Sequence, residues 1–108
     1  MSITDTFEAL LARGQDSALL RYSLGNEYLK QNDHKKAAQH LSEAVKLDPT
    51  YSAAWKLYGK ALTAVGHLAD AINAFDRGIV AAEIKGDVQA AKEMRVFRKR
   101  AAKERGDI

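Results

Sequence analysis

Cysteine is absent from this 108-residue chain, which excludes disulfides and thiolate-held metals and gives no reason to place it in an oxidising compartment. Proline occurs once, at Pro49, and turn residues are too sparse for the many reversals of an all-β sandwich. No apolar run approaches the roughly 20 residues of a membrane span. The opening Met-Ser-Ile-Thr-Asp-Thr lacks the basic segment and apolar stretch of a secretory signal. A soluble, cytoplasmic protein is the expectation. With 46% hydrophobic and 29% charged residues the chain is too apolar for a disordered tail, and its length suits a single helical domain.

Charge is unevenly spread. The net charge is +3, yet residues 92–105 hold seven Lys or Arg against Glu93 and Glu104, a local +5 that leaves the remainder at −2. The basicity belongs to the last helical segment.

Sliding the sequence against itself by 34 residues places Gly25 on Gly59, Ala37 on Ala71, Leu24 on Tyr58, Tyr28 on Leu62, Leu41 on Phe75, Ala44 on Gly78 and Val45 on Ile79. Small residues fall on small and large on large, the mark of a helix-turn-helix solenoid. Gly25 and Gly59 lie inside helical patterns, where glycine costs about 1 kcal/mol against alanine, so a close approach of two helices is the reason for them. Leu20, Leu24 and Tyr28 share one helix face, as do Ala54, Tyr58 and Leu62. Asn32-Asp33 and Gly66 mark the turns inside each unit. Pro49 ends the helix over 34–47, with Thr50 as N-cap of the next. The matching position one unit later is Glu83, so that helix runs on to Gly86, and Gly86-Asp87 leads into a terminal helix over 88–105. Its apolar face is Ala90, Met94, Phe97 and Ala101. At the other end, Phe7 and Leu11 precede Leu41 and Val45 by one period, so a short helix over 5–12 mimics the second helix of an upstream unit, with Asp5-x-x-Glu8 as its capping box and Gly14 as its stop.

Trp55, Tyr58, Gly59, Leu62, Ala71 and Phe75 in one unit, and Arg21, Leu24, Gly25, Tyr28, Ala37, Leu41 and Pro49 in the other, make the chain resemble a small two-repeat member of the tetratricopeptide repeat family. The resemblance implies an all-α, right-handed helix-turn-helix solenoid: an N-terminal capping helix in 1–17, repeats at 18–51 and 52–85, and a C-terminal capping helix in 86–108. The last helix carries Gln89 and Glu93 where the family has Trp and Gly, and is therefore read as a cap.

Little points to catalysis. His34 and His40 are six residues apart, about 120° from a shared helix face, and no acidic residue completes a zinc-type spacing; these two and His67 are read as surface histidines. Asp70 and Asp76, also six apart, form no paired-carboxylate site. No enzyme activity, metal or cofactor is expected.

The resemblance implies that the first helix of each pair lines a concave groove that takes a protein segment. The groove positions are then Leu19, Tyr22, Asn26, Leu29 and Lys30 in the first unit and Ala53, Lys56, Leu57, Lys60 and Thr63 in the second. Family members that bind chaperone tails use a carboxylate clamp; the corresponding residues here are Tyr22, Asn26, Leu57, Asp87 and Ala91, of which only Asn26 matches, so that clamp is disfavoured. The alternative is a polyanion or nucleic acid held by Arg95, Arg98, Lys99 and Lys103 on the terminal helix through counterion release, although cations all round a helix also serve a solvated cap. The function expected is an adaptor for a protein partner. Its short groove holds an isolated peptide weakly, so tight binding calls for self-association or a larger interface.

Overall fold

The computed structural model describes residues 2–107 as six α-helices joined by short turns, with no strand among them. They are α1 (Ile3–Ala12), α2 (Ala18–Lys30), α3 (His34–Leu47), α4 (Ser52–Ala64), α5 (Leu68–Ile84) and α6 (Val88–Arg105). Each helix packs on its neighbour in sequence, and α2 also touches α4 as α4 touches α6. Alternate helices therefore lie side by side in one layer, with α3 and α5 behind them. No helix of the described residues is long and apolar enough to cross a membrane.

The repeated glycines are where the paired helices meet. A Cβ on Gly25 would fall on the Leu41 side chain, and one on Gly59 would lie 2.5–2.7 Å from the Phe75 ring, so each glycine is the recess that receives the large residue of the following helix. Leu24, Leu41, Phe75 and Met94 are the largest wholly buried side chains. Asn32, with φ 60°, and Gly66, with φ 86°, take the left-handed conformation that closes the turn inside each unit.

Two helix starts differ from expectation. α1 begins at Ile3 because Ser2 and Asp5 form the capping box: Ser2 Oγ accepts from the Asp5 N–H at 3.1 Å and Asp5 Oδ2 from the Ser2 N–H at 3.3 Å. Glu8 is thereby free for tertiary contacts. Thr50 does not cap α4. Its N–H and hydroxyl both donate to Asp48 Oδ1, at 3.0 and 2.6 Å, folding a turn around Pro49 that leaves Tyr51 at the cap position without a side-chain bond. Trp55 closes the same turn, its indole N–H donating to the Pro49 carbonyl at 2.8 Å.

The apolar face of α6 is broader than the stripe read from sequence. Met94 and Ala101 are wholly buried as expected, but Ala91 and Ala102 join them, while Ala90 and Phe97 are half-buried. The turn at Gly86 returns the chain so closely that alanines face α5, and Gly78 gives way to both Met94 and the Trp55 Cβ.

Candidate interaction surfaces

The layer of α2, α4 and α6 presents most of the side chains singled out above. From α2, Tyr22 stacks on Tyr51 with ring centroids 4.9 Å apart, and Asn26 follows one turn later, half-buried. Burial pushes the Tyr51 phenol above its ordinary pKa, so it stays a neutral donor. From α4, Lys56 Nζ lies 3.9 Å from Glu93 of α6, and Lys60 Nζ lies 5.1 Å from the centre of the Phe97 ring. The guanidinium of Arg100 approaches the same ring at 5.9 Å. Phe97 thus serves two cations, a favourable arrangement for a ring whose π-cloud carries negative charge.

The other expected groove residues are committed elsewhere. Leu29 and Leu57 are partly buried against the core cluster formed by α2, α3 and α4. Lys30 pairs with Glu27 at 3.2 Å, and Thr63 donates back to the Gly59 carbonyl at 2.8 Å. Leu19 is exposed near the start of α2, and Ala53 is half-buried. Tyr22, Asn26, Lys56 and Lys60 therefore remain on the layer, joined by Glu93, Phe97 and Arg100 of α6. The sequence reading left these three out of the groove because it took α6 as a cap or a separate polyanion-binding helix and not as a third member of the layer. A usable signal was present at Glu93, since a carboxylate at the register of Gly25 and Gly59 cannot occupy a close helix contact and has to turn outward.

The basic terminal helix is less free than its composition implies. Arg95 is paired with Glu83 of α5, and Arg98 makes a fork with Asp76 of the same helix. Of the four candidate polyanion ligands only Lys99 and Lys103 stay exposed without an acidic partner among the described residues.

His40 is not a surface residue. Its ring stacks on Tyr28 with centroids 5.5 Å apart, Nε2 lies 3.2 Å from Glu8, and Nδ1 lies 3.2 Å from Arg21 Nη1. An arginine donates only, so Nδ1 must accept and Nε2 carries the proton given to Glu8. Burial, with Arg21 beside the ring, holds the His40 pKa below its ordinary value against the opposing pull of Glu8. Tyr28 donates to Glu8 at 2.9 Å, and burial with this bond pushes the phenol up to about 12. Gln31 donates to the buried Thr4 at 2.8 Å. These contacts dock α1 on α2 and α3. His34 is half-buried with Nδ1 unpartnered, whereas His67 is exposed.

Comparison with known proteins points one way. Residues 28–94 match the sequence profile of the tetratricopeptide repeat. A TPR repeat-containing protein of Pseudomonas aeruginosa is 52% identical over 90 residues, covering 83% of this chain and 86% of that one. A Bordetella parapertussis protein of known solution structure is 44% identical, with a TM-score of 0.79 over 96% of this chain and 90% of that one. YrrB, a TPR protein described as having an unusual peptide-binding site, is 26% identical with a TM-score of 0.63; 91% of this chain spans 58% of it.

Proposed function

From the premise that the chain belongs to the tetratricopeptide repeat family, we propose that it is a non-catalytic adaptor that holds a segment of a partner protein on the α2–α4–α6 layer. The observation that carries this reading is the cluster at the α4–α6 junction, where Lys60 and Arg100 flank one Phe97 ring. Neither cation has an acidic partner among the described residues, while Lys56 is already turned toward Glu93. With Tyr22 stacked on Tyr51 and Asn26 one turn further along α2, the layer offers donors for carboxylates and peptide carbonyls together with aromatic faces. The peptide-binding site described for YrrB is support by analogy of fold only.

The test is a pull-down comparing the unaltered chain with a Lys60→Glu, Arg100→Glu variant and a Lys99→Glu, Lys103→Glu variant. The first pair of changes should abolish partner capture with helicity unaltered; the second should leave it nearly intact. Capture lost only with the second pair would transfer the function to a polyanion site on α6. Support for that alternative is confined to Lys99 and Lys103, because Glu83 and Asp76 already neutralise Arg95 and Arg98.

A further inference from the structure

Away from that layer, the turn around Pro49 and the C-terminal half of α5 enclose an apolar cleft of about 380 Å³, lined by Pro49, Trp55, Val80 and Ile84 with Arg77 and Lys85 at its rim. Its floor is preorganised: Trp55 is buried, its indole N–H is satisfied by the Pro49 carbonyl, and the Arg77 guanidinium is held 5.7 Å from the centre of its ring. The elements that build the cleft are particular to the second unit. One period earlier the place of Trp55 is taken by Arg21, which is committed to Asp16 and His40. There α3 stops at Leu47 before Pro49, whereas α5 runs past the matching Ala81 to Ile84. That extension carries Ile84, 81% exposed at the lip of the recess, with Val80, 54% exposed, one turn before it.

We propose that the cleft binds a small amphiphilic carboxylate, its apolar chain seated between Trp55, Val80 and Ile84 and its acid head on Arg77. Size favours a small molecule. A volume of about 380 Å³ lies within the range of small-ligand sites, roughly 300–1,000 Å³. A protein partner needs roughly 800 Å² of matching surface on each side. Here Val80 and Ile84 stand among the exposed charged side chains of Asp76, Arg77, Glu83 and Lys85, so the apolar surface is a recess and not a broad patch. Charge sets the head group. Arg77 and Lys85 form no ion pair among the described residues, while the carboxylate in the lining, Asp76, is engaged by Arg98 of α6. The rim therefore offers positive charge that nothing in the chain neutralises by contact. Arg77 is the partner of the head because its guanidinium is already placed over the floor; Lys85, two turns further along α5, adds positive potential. A single guanidinium, with the Asp76 carboxylate beside it in the chain, suits a singly charged carboxylate better than a phosphate dianion. The indole N–H, already satisfied, asks for no polar group in the body of the ligand.

Octanoate is the probe, with octylammonium as its counterpart of equal chain length and opposite charge. Trp55 is the chain's only tryptophan, so its emission reports on the cleft directly. The expected result with the full chain is a saturable change in that emission at about 0.1–1 mM octanoate. Amide NMR shifts should change together with it, centred on the Pro49 turn and the C-terminal half of α5. Octylammonium should bind at least about fivefold more weakly. Arg77→Gln should narrow that preference by about three- to tenfold, an effect that loss of packing alone does not produce. Ile84→Ser should weaken octanoate by about threefold or more and leave the preference in place. Thermal melting of both variants confirms that the fold is kept, and the comparison of the two probes on the unaltered chain needs no variant. No saturable change, equal binding of octylammonium, a preference that survives Arg77→Gln, or shift changes centred on α6 would overturn the proposal.

Discussion

Replacing Gly59 with alanine sets two effects of known sign against each other. In an exposed helix the change stabilises by about 1 kcal/mol, because alanine loses less backbone freedom on folding. Here the added methyl would lie 2.5–2.7 Å from three atoms of the Phe75 ring, and that ring is only 1% exposed. It is a rigid plane held in the core, so α4 and α5 must separate or Phe75 must leave its rotamer, at a cost of about 1–3 kcal/mol. The balance is a net loss of about 0–2 kcal/mol, equivalent to a fall of up to about 9 °C in the melting midpoint of a domain this size. Shortening Phe75 to leucine should cost less in the Gly59→Ala background than alone, because the added methyl fills part of the space the ring vacates. Calorimetry or thermal circular dichroism on the four proteins measures both quantities. A midpoint raised by about 4 °C in Gly59→Ala, the whole propensity gain with nothing opposing it, would refute the close approach of α4 and α5.

Removing residues 86–108 uncovers Phe75 and Ile79 on α5, and the truncated chain should aggregate or self-associate in light scattering; an undiminished soluble monomer would contradict the shielding role of α6. Acid should loosen α1 from α2 and α3. The His40 pKa is held below 6.5 in the folded state, so the unfolded chain binds its proton more readily; stability is full above about pH 6.5 and declines as the pH falls below it. Glu8, Arg21 and Asp16 face this group, and His40→Gln should flatten the slope of denaturation midpoint against pH in that window. Trp55→Phe removes the donor to the Pro49 carbonyl and should cost about 1 kcal/mol in denaturant unfolding, with no change in partner capture.

The period of 34 residues made the fold legible because helix packing repeats its size requirements: a recess at Gly25 and Gly59 for Leu41 and Phe75, and turns closed by Asn32 and Gly66. The spans of α3 and α6 follow from Pro49 and from the Gly86-Asp87 turn, whose signals are local. What escaped the sequence depends on contacts between segments distant in the chain. Nothing near His40 announces that Arg21 and Glu8 converge on it from two other helices. Similarly, the charge run in α6 does not reveal that α5 supplies carboxylates to Arg95 and Arg98. The candidate surface was half legible: the α4 lysines follow from register, whereas Phe97 and Arg100 join them only because α6 lies beside α4 as a further member of the layer.

Site-specific photo-crosslinking in cells addresses the central claim, that the α2–α4–α6 layer takes a partner protein segment. A photoreactive residue would replace Asn26, half-buried in that layer, or Lys99, exposed on α6. The account predicts one or more discrete adducts from position 26 that disappear when Lys60→Glu and Arg100→Glu are added, with little or no adduct from position 99. Adducts from position 99 that survive those changes, with none from position 26, would contradict it.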